Sequence, residues 1–464
     1  MALVRLISKE DYGIYQQINL VINFFGPIFL FGIASSFYYF YPTANKNKKK
    51  QLLSQSSLIT LLLASCFLFL FLIFDDYVHY LISSFNINDY VIPTALTVFF
   101  YIINYPIEHL FVVEEKSKNV IVFLIINSVV RGIFIIVPII LFNNIIIVIW
   151  ALCIFNLLKS IYYYYYIAVN YGLDFRFFKW DKTYLVKQYE YTYPLGLSQM
   201  VSVIGSKIDS FILASNFSSE DFATYSVAKF RIPIISMIFP SISNVIAPKI
   251  TICGKNNDLS GATILWHKII VALSRIVIPV TFFFIITATE LITFLYTKNY
   301  MEAVFPYRII LLTFFAQMLS RGVVINAFGF TKYLFKIQLV SMIFSVVIAF
   351  ILIPNYGVIG AAITYVIAFY FSAFLQLYKV KSILQLSFFN WFPYNRILKI
   401  FFVSFIPSVL IYFLKYINIP LFIYLVISTI VFFTTTGLLF LYTGEIKKQD
   451  LINIKKIFFK KLSL

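Results

Sequence analysis

Charge is scarce in this chain. Of its 464 residues only 12% are Asp, Glu, Lys or Arg, 61% are apolar, and the mean hydropathy is +0.89. A soluble domain is about a quarter charged, so a water-soluble globule is excluded. Acidic residues are the rarer sign, 19 against 37 basic. There are three cysteines, Cys66, Cys153 and Cys253, with no paired spacing, so neither a disulfide framework nor a zinc site follows. The three histidines, His79, His109 and His267, belong to no ligand motif. No phosphate-cradling glycine loop, zincin helix or nucleophile elbow is present. Residues 1–8 are too short, and too charged at Arg5, to form the apolar core of a secretory signal. No cofactor or metal is expected.

Long apolar runs are what the chain does have. They are continuous rather than alternating, which excludes a barrel and makes this an all-α polytopic membrane protein. The pattern predicts thirteen spans: 14–40, 52–74, 91–113, 119–142, 144–168, 191–215, 222–248, 264–289, 303–328, 333–353, 357–379, 397–415 and 419–443. Each is long enough to cross about 30 Å of hydrocarbon at about 1.5 Å per residue. The loops between them alternate in charge. Those at 41–51, 114–118, 169–190, 249–262, 329–336 and 379–399, with the tail after 443, hold 24 Lys and Arg. The others hold only Lys298 and Lys415. Lysine and arginine stay on the cytoplasmic side, so the basic set and the C-terminus are read as cytoplasmic. The net charge of +18 is thereby explained without nucleic acid. The expected location is a cell membrane, crossed many times, with the C-terminus on its cytoplasmic side.

A short stretch occurs twice. Residues 8–15 read Ser-Lys-Glu-Asp-Tyr-Gly-Ile-Tyr and residues 218–225 read Ser-Ser-Glu-Asp-Phe-Ala-Thr-Tyr, with four positions identical. Both copies fall on the outer side, six spans apart, as in a parallel repeat about an axis along the membrane normal. The expected division is an N-terminal lobe at 1–168, a cytoplasmic interfacial linker at 169–190 rich in aromatic and charged residues, a C-terminal lobe at 191–379, and two further helices with a basic tail at 380–464. The run Tyr162–Tyr166 reads as an aromatic belt at the cytoplasmic interface, with a sugar platform as the alternative.

The outer loops are too short, about 16 residues at most, to hold the acid or histidine cluster of a membrane glycosyltransferase, polymerase or ligase. Passage is therefore favoured over bond-making. Residues 329–332 read Gly-Phe-Thr-Lys, a helix follows, and residues 353–362 read Ile-Pro-Asn-Tyr-Gly-Val-Ile-Gly-Ala-Ala. Pro354 and Gly357 make a tight turn, and Gly360, Ala361 and Ala362 leave a small face for helix packing. This order, with Glu10–Tyr15, Tyr225–Ala228 and Asp209, closely resembles the polysaccharide or O-antigen (Wzx-type) flippases of the multidrug/oligosaccharidyl-lipid/polysaccharide exporter superfamily. The resemblance implies two six-helix lobes around a central cavity that opens alternately to each side, plus two C-terminal helices. It implies as substrate an undecaprenyl-pyrophosphate-linked oligosaccharide for surface polysaccharide, with a glycan polymerase as a candidate partner. A drug/cation antiporter of the same superfamily, a lipid II flippase and a polysaccharide polymerase are the competing readings. The family usually has fourteen helices. Only ten residues precede Asp11, so the sequence is expected to start one helix late, with an incomplete first lobe.

Charged groups inside spans are costly and face cavities or partners. The basic ones singled out are Arg131, Lys207, Lys229, Arg231, Arg275 and Arg321, with Arg308 near an outer end. The acids are Asp209 and Glu108. Guanidinium grips phosphate bidentately, so Arg131 and Arg275 are expected to bind the pyrophosphate, assisted by Lys207, Lys229 and Arg231. For Lys229, Arg231, Arg308 and Arg321, snorkelling or pairing is an equal alternative. Asp209 is read as an interhelix bridge or a coupling site.

Overall fold

A computed structural model describes residues 3–74, 88–114, 117–174, 176, 181–230, 232–387, 390–417 and 419–445. Every long element among them is an α-helix. In chain order these are α1 (Lys9–Leu30), α2 (Ile33–Phe40), α3 (Lys46–Ile73), α4 (Asn88–Asn104), α5 (Pro106–Val113), α6 (Ser117–Phe142), α7 (Ile145–Asn170), α8 (Lys182–Asn216) and α9 (Ser219–Ala228). There follow α10 (Pro233–Lys255), α11 (Leu259–Tyr296), α12 (Val304–Leu311), α13 (Thr313–Gln317), α14 (Arg321–Ala327), α15 (Thr331–Leu384), α16 (Tyr394–Phe413) and α17 (Leu421–Tyr442). The chain forms two compact units. Unit 1 is 1–226 with 338–364, and unit 2 is 227–337 with 365–464. The division falls inside α9 and inside α15, and residues 191–226 group with the N-terminal segments.

The repeated stretch is a helix start. Ser8 Oγ accepts the Asp11 amide at 3.0 Å and donates to the Asp11 carboxylate at 2.7 Å. Ser218 does the same with Asp221, at 3.2 and 2.6 Å. Both copies therefore satisfy amides that the first turn of a helix leaves free, and both place a carboxylate at its positive end. The two starts also meet inside unit 1. A Cβ on Gly13 would lie 1.9 Å from the Ser219 carbonyl oxygen, so only glycine fits there.

By length and composition, ten helices among the described residues are able to cross a membrane, or eleven if the bent pair α1–α2 is one span. Thirteen were expected, and the difference has three sources. Phe31 and Gly32 adopt left-handed backbone (φ 45° and 75°) and bend α1 from α2 by 50°. The 54-residue α15 would be about 80 Å long if straight, more than twice a bilayer core; it breaks at Gly357 (φ 54°, ψ −130°), where the turn was placed. Helix α8 carries Lys207 and Asp209 and is not among the apolar ten.

Each unit has its own core. In unit 1, Phe37, Leu52, Leu53, Ile107 and Tyr163 are buried together. The tyrosine run divides: Tyr163 is buried and within 3.2 Å of Ser57 Oγ, whereas Tyr162 and Tyr165 are exposed. A buried carboxamide node, Gln188, donates to Ser36 Oγ (2.8 Å) and Ser56 Oγ (2.9 Å) and accepts from Gln55 (2.5 Å), tying α8 to α2 and α3. In the linker Arg176 binds Asp174 at 2.7 Å and holds its carboxyl well below the usual carboxylate range. In unit 2 the core gathers around Trp266, with Ile269, Ile270, Leu273, Val324 and Val380.

Candidate functional site

The expected site residues fall in different places. Arg131 lies on the exposed side of α6 and donates through Nη2 to Asn19 Oδ1 at 3.3 Å. Lys207 and Asp209 lie on α8, also in unit 1. Asp209 is 2% exposed, accepts the Tyr225 hydroxyl, and has Ser210 Oγ at 3.4 Å; the Tyr225 hydroxyl also reaches the Ala361 carbonyl at 3.3 Å. In unit 2 the Lys229 ammonium sits 4.7 Å from the Tyr365 ring centroid. Arg231 lies outside the described residues. Arg275, expected to bind the pyrophosphate, pairs with Glu445, with Nη2 and Nε at 3.2 and 3.4 Å from Oε2. Lys399 reaches the other carboxylate oxygen at 3.7 Å and the Thr443 carbonyl at 2.5 Å. Glu445 follows α17 and Lys399 is near the start of α16, so Arg275 stands level with helix ends. Together Arg275 and Lys399 neutralise the buried Glu445 carboxylate.

A cavity of about 550 Å³ opens in unit 2 where a span breaks into α12, α13 and α14. Its polar lining is Ser243, Gln317, Ser320, Arg321, Asn326 and Gln376, with Phe239 and Val323 as apolar walls. Among the described residues no carboxylate lines it. The break has identifiable supports. Ser320 is a left-handed non-glycine residue (φ 42°, ψ 38°) immediately before Arg321. Its hydroxyl is 2.8 Å from Ser243 Oγ, and Trp266 Nε1 holds the preceding Leu319 carbonyl at 2.9 Å. Such strained backbone persists only where the surroundings over-determine it.

Arg321 is 8% exposed. One Nη donates to the Ala316 carbonyl and the guanidinium lies 5.4 Å from the Phe369 ring centroid. Its Nε is buried without a hydrogen-bond partner. No carboxylate among the described residues pairs with it. A guanidinium has five donors and a full charge, and a buried charge without a counterion is costly. An anionic group in the cavity would supply the missing counter-charge. Carboxamides and hydroxyls around it supply both donors and acceptors, which suits a ligand rich in hydroxyls. The sequence placed Arg321 in a span but gave it no more weight than a snorkelling side chain. The available signal was four polar residues, Gln317, Ser320, Arg321 and Asn326, within ten positions of one apolar run.

Comparison with curated protein sequences returns no match. Solved structures do match in fold. "Lipid II flippase MurJ, inward closed conformation" covers 100% of this chain and 96% of its own at 17% identity, with a TM-score of 0.73. An inward-facing multidrug resistance MATE family transporter of the MOP superfamily covers 83% of this chain and 96% of its own at 13% identity, TM-score 0.62. A MOP superfamily transporter from Pyrococcus furiosus, titled for a binding pocket of reverse polarity, covers 83% and 89% at 14% identity, TM-score 0.51. The all-helical architecture is thus that of the MurJ and MATE transporters. A family model described as "Polysaccharide biosynthesis protein" matches residues 1–252, more than half the chain, and the chain belongs to that family.

Proposed function

We propose that this chain moves a lipid-linked oligosaccharide, undecaprenyl pyrophosphate bearing sugars, across the bacterial cytoplasmic membrane by alternating access, for O-antigen or capsule assembly. The observation that carries this reading is the unit 2 cavity, whose single formal charge among the described residues is the buried, unneutralised Arg321. Arg321 takes a phosphoryl oxygen, and Gln317, Asn326 and Gln376 take sugar hydroxyls. A drug/cation antiporter needs an acidic cavity and is disfavoured by the same lining. Arg131, Lys207 and Lys229 add cationic contacts along the path, Arg231 is assigned with them, and Asp209 bridges helices. A glycan polymerase receives the flipped unit.

Flipping of a fluorescent polyprenyl-pyrophosphate disaccharide should be detectable in liposomes carrying the purified chain, and ethidium should not be moved. Ethidium movement without lipid flipping would replace this reading with the antiporter one. Orientation has a separate test. A cysteine at Ser218 should react with an impermeant maleimide in intact cells, and cysteines at Asn47 or Asn257 should react only after lysis. The opposite pattern overturns a cytoplasmic C-terminus.

A further inference from the structure

We propose that Gly322 is the platform on which the sugar ring next to the pyrophosphate lies, and that its missing side chain decides which head groups the unit 2 cavity accepts. This rests on the transport reading above. A glycine inside a helix needs a reason, because it weakens the helix relative to alanine. Two reasons recur in this chain. Gly329 and Gly357 have left-handed backbone, with φ of 77° and 54°. Gly13, Gly26, Gly196 and Gly360 sit against other parts of the protein, where a Cβ would come within 1.9 to 2.7 Å of its nearest neighbour. Neither reason applies to Gly322. It lies in α14 and is not among the residues of positive φ. A Cβ there would meet nothing within 4 Å among the described residues beyond its own helical turn. Yet Gly322 is half-buried and lines the cavity. The space over it is cavity space.

The chemistry of the surroundings says what fits there. Arg321 is the preceding residue, its Cα about 3.8 Å away. A ligand held by Arg321 through phosphate therefore brings its next unit over Gly322. Gly322 and Asn326 are four apart and share one face of α14. The Gln317 and Asn326 carboxamides make no side-chain hydrogen bond among the described residues, and Gln376 donates to Ser372 Oγ at 3.3 Å. A prenyl chain laid there would press hydrocarbon against these carboxamides, which costs free energy. A sugar ring suits them. Its hydroxyls pair with Gln317, Asn326 and Gln376, and its C–H face lies flat on the bare backbone of Gly322. Any side chain at 322 would stand where that face lies.

The rival reason for this glycine is flexibility, since it follows the left-handed Ser320 by two residues at the span break. The two roles respond differently to substitution. A hinge loses its freedom with the first methyl group. A platform is filled in proportion to side-chain size.

Two probes with the same fluorescent prenyl chain test this: polyprenyl pyrophosphate bearing a disaccharide, and the same lipid bearing no sugar. Binding to the purified full chain is read by fluorescence polarisation, with the melting temperature taken on the same samples. The wild type should bind the disaccharide probe more tightly. Gly322→Ala should weaken that probe about threefold and Gly322→Leu about thirtyfold, as added bulk does in a close-packed site. The sugar-free probe should weaken about twofold at most in either variant. Melting should be unchanged or higher, because alanine and leucine favour helix over glycine. If Gly322→Leu melts early, Gly322→Cys, intermediate in size, completes the series with alanine. Gly437 of α17 is also helical, with nothing within 4 Å of a Cβ, and it is not part of the cavity lining. Gly437→Leu should bind both probes as the wild type does. Equal wild-type affinity for the two probes overturns the platform. So does unchanged disaccharide binding in Gly322→Leu, or equal weakening of both probes, which would mean that the leucine only crowds Arg321. Alanine as damaging as leucine makes Gly322 a hinge and overturns it too. Failure of the transport reading looks different: the wild type then binds neither probe.

Discussion

Arg321→Ala is expected to lower lipid flipping about tenfold to a hundredfold. Charge-assisted hydrogen bonds are worth about 1.5–3 kcal/mol, and about 1.4 kcal/mol is tenfold. The alanine variant also opens space and frees the Ala316 carbonyl, so Arg321→Met is the sharper probe, since it keeps most of the volume and removes only the charge and donors. Arg321→Lys keeps charge without the planar fork and should recover part of the rate if charge dominates. Rates are read as initial flipping of the fluorescent pyrophosphate lipid, with the melting temperature measured on the same preparations. If Arg321→Met flips at the wild-type rate and only melts earlier, Arg321 merely caps the broken span and the cavity loses its role.

Glu445→Ala is expected to produce the largest loss of stability. It leaves Arg275 and Lys399 facing one another with no anion between them. Breaking a buried pair costs about 3–5 kcal/mol. Because the Arg275 and Lys399 side chains are 29% and 45% exposed, screening reduces the expected loss to about 2 kcal/mol. Detergent-solubilised Glu445→Ala should melt earlier, with α17 more open to protease. Arg275→Ala made together with Glu445→Ala should regain part of the loss and keep flipping. A variant Arg275→Ala that melts normally but no longer flips would return Arg275 to the substrate path.

The parts of the fold legible in the sequence were those set by neighbours in the chain. Gly357 could be placed because proline, glycine and small residues sit within a few positions of one another, and the break is where they are. The two Ser-x-x-Asp starts were visible as a repeat; their capping geometry follows from spacing alone. The site was less legible because its chemistry depends on distant partners. Nothing near Arg275 in sequence announces Glu445, 170 positions away. Lys159 passed unmarked inside an apolar run, since its counter-charge, Glu108, lies on another helix. Arg321 could be ranked only once the structure showed a buried Nε without a partner. Helix α8 was read as the span 191–215 from its apolar run, although its charges keep it out of the apolar set.

Unit 1 is discontinuous, and this has a consequence for synthesis. Its last segment, 338–364, emerges only after residues 227–337 have been made. At about 5–20 residues per second that interval lasts roughly 6–20 s. Throughout it α8 waits in the membrane without its later neighbours. Gly205 has no Met342 to pack on, Ser198 lacks Gln338, and the Tyr225 hydroxyl beside Asp209 lacks the Ala361 carbonyl. A helix that carries Lys207 and Asp209 must thus be sheltered until those partners are made. A stall before residue 338 leaves that helix, with its buried acid, as the exposed flank that membrane proteases meet first.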